Sequence, residues 1–126
     1  MVGSINIALK KLLALAREKK AENIVVLRMK NLNWITNYLF ICSANSVIQV
    51  KAIASNIADN FDYHLLSLQG YEEGKWVLID YGNVMVHIFH QATRDFYNLE
   101  KLWADAPREK LSPGKERFVP GKETLN

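Results

Sequence analysis

The chain has 126 residues, of which 49% are hydrophobic and 23% charged, with a formal net charge of +3. That size suits one domain whose core stands without metals or disulfides, and the single cysteine, Cys42, excludes an internal disulfide and fits a reducing, cytoplasmic setting. No apolar run approaches the roughly 20 residues of a membrane span, the first residues lack the charged and apolar regions of a secretory signal, and so mild a charge does not mark a nucleic-acid binder by itself.

The elements follow in chain order. Ile5, Leu9, Leu12, Leu13 and Ala16 recur at helical spacing, with Lys10, Lys11, Arg17, Glu18 and Lys20 on the other faces. The spacing predicts an amphipathic helix over about 5–20, with Ser4 as its N-cap and a solvated basic face. Residues 23–29 hold Ile24, Val25, Val26 and Leu27, a short β-branched run that predicts a strand buried on both faces. Lys30 to Asn33 read as a loop, and 38–43 as a second buried strand. Cys42 lies in that strand, and nothing in the sequence activates it, so it reads as a small hydrophobe.

Ser46-x-x-Gln49 has the form of a capping box. Val50, Ile53, Ala54, Ile57, Ala58 and Phe61 then trace one apolar stripe, predicting a helix over about 46–62 packed on a sheet. Residues 63–69 read as a short strand ending at Gly70, and Tyr71-Glu72-Glu73-Gly74 as a turn. Strands alternating with helices argue for an α/β layer.

Residues 76–103 carry the densest pattern. Runs at 76–80 and 84–89 flank Tyr81-Gly82-Asn83, which predicts a β-hairpin with positive φ in its connection and therefore a mixed sheet. Alternation puts Val84, Val86 and Ile88 on one face and Met85, His87 and Phe89 on the other. In the partner run it separates Trp76, Leu78 and Asp80 from Val77, Ile79 and Tyr81. Thr93 is placed to cap a helix over about 94–103, with Phe96, Leu99, Leu102 and Trp103 facing inward and Ala104 to Pro107 ending it. The division is thus one domain over 1–107 and a tail over 108–126. All three prolines lie from Pro107 on, and the tail repeats Pro-Gly-Lys-Glu, a composition expected to stay disordered.

Chemistry is hard to place on this pattern. Asp80 stands alone at a strand end, and Asp59 and Asp62 belong to a solvated helix end, so no carboxylates pair for acid–base or two-metal work. His87 and His90 fall on opposite faces of a strand, and there is no zinc spacing, phosphate loop or nucleophile elbow. The expectation is therefore no catalytic residue, no metal and no cofactor. What remains is a surface. Trp76, Phe89, His87 and Tyr97 gather at the hairpin, where such rings serve either as core or as interface anchors. Tyr81, beside Gly82, is hard to bury and reads as a contact residue; Arg94, Glu100 and Lys101 would form a polar rim. The candidate partner-binding residues are Trp76, Leu78, Asp80, Tyr81, Gly82, Asn83, His87, Phe89, Arg94, Tyr97 and Lys101.

The run WVLIDYGNVMVHIFHQATRDFYNLEKLWADAP resembles the ribosomal silencing factor family, also called Iojap-like. Trp76, Asp80, Gly82, Val84, Val86, His87, Phe89, Arg94, Tyr97, Leu99, Glu100, Leu102 and Trp103 stand in register with its motif, and Ile35 to Ser43 resemble an upstream segment. The resemblance covers about 5–107. It departs at Asn37 and Asn83, where the family carries aspartate; each change removes a charge but keeps a turn-former. The resemblance implies a nucleotidyltransferase-like α/β fold, a mixed sheet of about five strands flanked by helices, without the catalytic acids. It implies binding to the large ribosomal subunit through the ribosomal protein called L-fourteen, near ribosomal RNA. Placed there, the protein would block subunit joining and repress translation, and members often form homodimers. The alternatives are a nucleotidyltransferase-like enzyme, carried by fold analogy alone, and a generic RNA-binding module using the basic first helix.

Overall fold

A computed structural model describes residues 2–28, 37–97, 108–109 and 124–125, with side chains described over 6–28 and 37–97. The elements are α1 (Val2–Glu18), β1 (Glu22–Arg28), β2 (Tyr38–Ala44), α2 (Val47–Asn60), β3 (Ser67–Gln69), β4 (Trp76–Asp80), β5 (Val84–His90), α3 (Gln91–Tyr97), β6 (Arg108–Glu109) and β7 (Thr124–Leu125). One sheet holds the strands in the order β3-β4-β5-β2-β1-β6-β7. Its body is five strands, β3 to β1, and it is mixed: β2 and β5 run parallel, whereas β3–β4, β4–β5 and β1–β2 are antiparallel. Parallel neighbours need a long crossover, which α2, β3 and β4 supply here. The short β6 and β7 pair beyond β1; the rest of the expected 108–126 tail lies outside the described residues.

The α/β architecture agrees with the sequence expectation. Helices α1 and α2 bury their apolar stripes on one face of the sheet, where Leu9, Leu12, Ala16, Val50, Ile53 and Ile57 meet Val26, Phe40, Val86 and Ile88. Each aliphatic side chain so buried contributes about 1.5–3 kcal/mol. The opposite face carries a second cluster, Val25, Leu27, Leu39, Ile41 and Phe89. That double burial is why β1 and β2 read as unbroken apolar runs.

Several local expectations are corrected. Ser4 lies inside α1, which starts at Val2, so it is not the N-cap. Ser46 does cap α2, its hydroxyl accepting from the Gln49 N–H at 3.1 Å. Gln49 does not reach back to complete a capping box: its side-chain amide donates to the carbonyls of Lys19 and Lys20 at 3.2 and 3.3 Å, tying α2 to the end of α1. The strand expected over 63–69 shortens to Ser67–Gln69, because Tyr63, Leu65 and Leu66 are exposed and only from Leu66 does the backbone bond to β4, its N–H donating to the Asp80 carbonyl at 2.8 Å. The third helix starts at Gln91 rather than Arg94; His90 precedes it and accepts the Ala92 N–H on Nδ1 at 3.2 Å, so Thr93 sits within the helix. Leu99, Leu102, Trp103 and the stop at Ala104 to Pro107 lie outside the described residues, as do the loop at Lys30 to Asn33 and the segment from Trp34 to Thr36.

Gly70 joins β3 to the following turn at φ +82, and a Cβ there would lie 2.1 Å from the Trp76 carbonyl oxygen. No other residue tolerates both the conformation and the approach. It thereby fixes where β4 begins, and with it the position of Trp76.

Candidate partner-binding face

The β4–β5 hairpin pairs Trp76 with Phe89, Leu78 with His87 and Asp80 with Met85. Period-2 alternation then sends Val77, Ile79, Val86 and Ile88 into the helix-covered core, and Trp76, Leu78, His87 and Phe89 to the other face. There the rings form a continuous run. The Trp76 ring centroid lies 4.7 Å from Phe89 and 5.7 Å from Tyr97, and Tyr97 meets Phe96 edge-on at 5.1 Å. His87 lies nearly parallel to Phe89 at 6.2 Å. Such spacings suit aromatic pairing.

The Trp76 indole N–H donates to His87 Nδ1 at 3.1 Å. Because an indole N–H only donates, that nitrogen must carry a lone pair. Burial pushes the His87 imidazole down to about 4, so at neutral pH the ring is uncharged with its proton on Nε2. The face is therefore aromatic and neutral at its centre. Its outer part is open: Trp76 is 38% exposed, Tyr97 54% and Phe96 80%.

The other sequence-selected residues divide. Leu78 is half-buried on this face, and Phe89 is fully buried beneath it. Tyr81 is buried on the opposite side of the sheet, its ring edge-on to Phe61 at 4.8 Å. The reading that Tyr81 is hard to bury is thus corrected: the residue ends the Val77, Ile79, Tyr81 series, and the turn at Gly82 begins only after its side chain has been committed to the core. Burial pushes its phenol up to about 12. Asp80 shapes the turn, its carboxylate accepting the Gly82 N–H at 2.8 Å, while Gly82 itself takes φ 86. Asn83 is exposed in side chain, and its carbonyl accepts the N–H groups of Asn37 and Tyr38 at 3.1 and 3.0 Å. The two positions that depart from the family pattern are therefore hydrogen-bonded neighbours. Lys101 and Glu100 lie outside the described residues.

Arg94 is not a rim residue. It is fully buried, and Nη1 donates to the Asn23 carbonyl at 2.8 Å and to the Ser43 hydroxyl at 3.3 Å. Gln91 completes the cluster: its Oε1 accepts from Ser43 Oγ at 2.6 Å and from Asn23 Nδ2 at 3.1 Å, and its Nε2 donates to Asp95 Oδ1 at 2.8 Å. Asn23 takes a left-handed φ of 53, in the stretch where the β1 register shifts, a conformation asparagine tolerates. This network bolts α3 to the ends of β1 and β2 and so orients Phe96 and Tyr97. Periodicity missed Asn23, Ser43 and Gln91. The available signal was Ser43, a hydroxyl in an otherwise apolar strand, which demands a partner when buried.

Cys42 is buried within β2 and its thiol is pushed up to about 12 by desolvation, against a smaller opposing effect of the Arg94 charge. It has the character of core. Among the described residues no three His, Cys, Asp or Glu side chains gather as a metal site, His87 and His90 pointing to opposite faces of β5. Among them, too, no helix is long and apolar enough to cross a membrane.

The family model described as ribosomal silencing factor during starvation matches residues 3–124. The chain belongs to the ribosomal silencing factor family. It is 47% identical over 97 residues to the ribosomal silencing factor of Halalkalibacterium halodurans, covering 75% of this chain and 83% of that protein. It is also similar to a crystal structure of a protein from Bacillus halodurans, with a TM-score of 0.67 and 43% identity over 75% of this chain and 91% of that one. A more distant relative is the mouse protein named mitochondrial assembly of ribosomal large subunit protein 1, 27% identical over 99 residues, 73% of this chain and 43% of that protein. The sheet and helices of this chain are thus those of a family with solved members, and its relative in Halalkalibacterium halodurans carries the name of a ribosomal silencing factor.

Proposed function

We propose that this silencing factor acts by occupancy: it binds the large ribosomal subunit through the ribosomal protein called L-fourteen, blocks joining of the small subunit and so represses translation. The observation that carries the reading is the run of rings on the open sheet face, with Trp76, Tyr97 and Phe96 exposed beside buried Phe89. Exposed aromatics over a packed base are the usual anchors of a protein interface. Family membership and the large-subunit name of the mouse relative support the choice of partner. Asp80, the acid within the hairpin motif, accepts the Gly82 N–H and so serves the turn.

On this reading the contact residues are Trp76, Leu78, His87, Tyr97 and Lys101, with Asn83 and Gly82 at the hairpin tip, and Asp80, Tyr81, Phe89 and Arg94 supporting them from within. The protein works in the cytoplasm, touches ribosomal RNA only at the margin of the contact, and self-associates as a homodimer when free. Sedimentation with purified ribosomal subunits tests the reading. Co-migration with the large subunit and inhibition of subunit joining are expected; absence from the large-subunit fraction overturns it.

A further inference from the structure

A groove of about 1050 Å³ runs between α2, the turn from Gly70 to Lys75 and α3. Its lining combines three carboxylates, Asp59, Glu72 and Glu73, with three rings, Trp76, Phe96 and Tyr97. Lys75 is the lysine on the lining, so the groove is an acidic patch on a chain of net charge +3. The nearby Lys51 ammonium is turned over the Tyr71 ring, 5.5 Å from its centroid, and Tyr71 is in turn bonded to Ser55 at 2.9 Å.

Asp59 sharpens the polarity. It lies in the last turn of α2, which holds no basic residue. A carboxylate there adds to the negative end of the helix dipole and works against the helix itself, so its local effect is to deepen the negative potential at that end of the groove. On the same lining, Phe96 is 80% exposed, although a ring of this kind gains most by burial.

We propose that this groove docks a short protein segment carrying lysine or arginine beside a large apolar side chain, the cation against Asp59, Glu72 and Glu73 and the apolar group against Phe96 and Tyr97. A guanidinium would gain further by lying over the Trp76 or Tyr97 ring. A nucleic-acid strand fits poorly, because its phosphates would meet the carboxylates. The inference goes beyond the ribosomal reading: the groove shares Trp76 and Tyr97 with the aromatic face, but its acids lie outside that face.

The test uses the full-length, isotope-labelled protein and a short fluorescein-labelled peptide of lysine, leucine and glycine in alternation. Binding is followed by anisotropy and mapped by amide chemical shifts. The expected result is saturable binding with shifts gathered at Ala58, Tyr71, Thr93 and their neighbours. The double variant Glu72→Lys/Glu73→Lys, which alters only exposed turn residues, should weaken it about five- to tenfold, and Phe96→Ser about tenfold. Equal binding of a peptide with glutamate in place of lysine, unchanged affinity in both variants, or shifts centred outside the groove would each overturn the proposal. So would oligouridylate competing for the same amides. Pelleting of the wild-type protein and of Glu72→Lys/Glu73→Lys with the large subunit judges the ribosomal reading separately, since those acids lie outside the aromatic face.

Discussion

Trp76 and His87 are diagonal neighbours across the β4–β5 ladder, and the indole N–H of one is bonded to Nδ1 of the other at 3.1 Å. The bond exists only while His87 is neutral. Its folded-state value of about 4 lies below the ordinary 6.5 of a histidine, so the unfolded chain takes up this proton first. Stability from this group is whole above about 6.5 and is lost as pH falls toward 4, at up to about 1.4 kcal/mol per pH unit. Urea unfolding of the wild type and of His87→Gln across that window should show a shallower decline in the variant; parallel curves would refute the assignment.

Trp76→Ala and Tyr81→Ala should part company, although both residues belong to one hairpin. Trp76 is partly exposed, so its removal should leave the fold intact and weaken association with the large subunit. Tyr81 is buried against Phe61, and truncating it should cost about 3–5 kcal/mol of stability. Thermal melts alongside subunit pelleting separate the two effects.

Tyr81→Phe provides a finer check. The Tyr81 hydroxyl oxygen is buried without a hydrogen-bond partner among the described residues. Deleting an unsatisfied hydroxyl should be neutral or stabilising by about 1 kcal/mol. A loss of more than that on chemical denaturation would mean that the hydroxyl has a partner.

Arg94→Leu should destabilise the protein by about 1–3 kcal/mol, because the Asn23 carbonyl loses its charged donor inside the protein. Arg94→Lys should recover part of the loss, since one ammonium can reach one acceptor but cannot fork as a guanidinium does. Equal melting temperatures for all three proteins would return Arg94 to the surface.

Cys42 should resist iodoacetamide in the native state and react on unfolding, because the thiolate is the nucleophile and burial suppresses it. Rapid labelling of native protein, followed by mass spectrometry, would contradict this.

Much of the fold was legible because burial imposes periods on sequence. The α2 stripe, the apolar runs of β1 and β2 and the alternation across the hairpin all follow from which face meets the core. The same logic misjudged Phe96: at helical spacing it looked inward, yet among the described residues α3 leaves that ring in solvent. It misjudged Arg94 for the converse reason. A charged residue is read as surface unless its acceptors are known, and here they come from Asn23 and Ser43, 71 and 51 residues away in the chain. Of the candidate face, the identity of the rings was visible in the sequence; the hydrogen bond that makes His87 an acceptor required the register of the two strands.

The parallel pairing of β2 with β5 sets the order in which the molecule can be finished. Tyr38 to Ala44 pair with β1 on one side and with Val84 to His90 on the other, so a chain still being synthesised holds β1 and β2 with one sheet edge bare until β5 is available. Closing that gap is a non-local step, slower than forming any of the antiparallel pairs β1–β2, β3–β4 and β4–β5. Until it is taken, neither α1 nor α2 has the full sheet surface that buries its stripe. The silencing factor therefore gains its core late and in one cooperative event, and a premature stop before residue 84 should yield a chain cleared by proteolysis rather than a smaller, working domain.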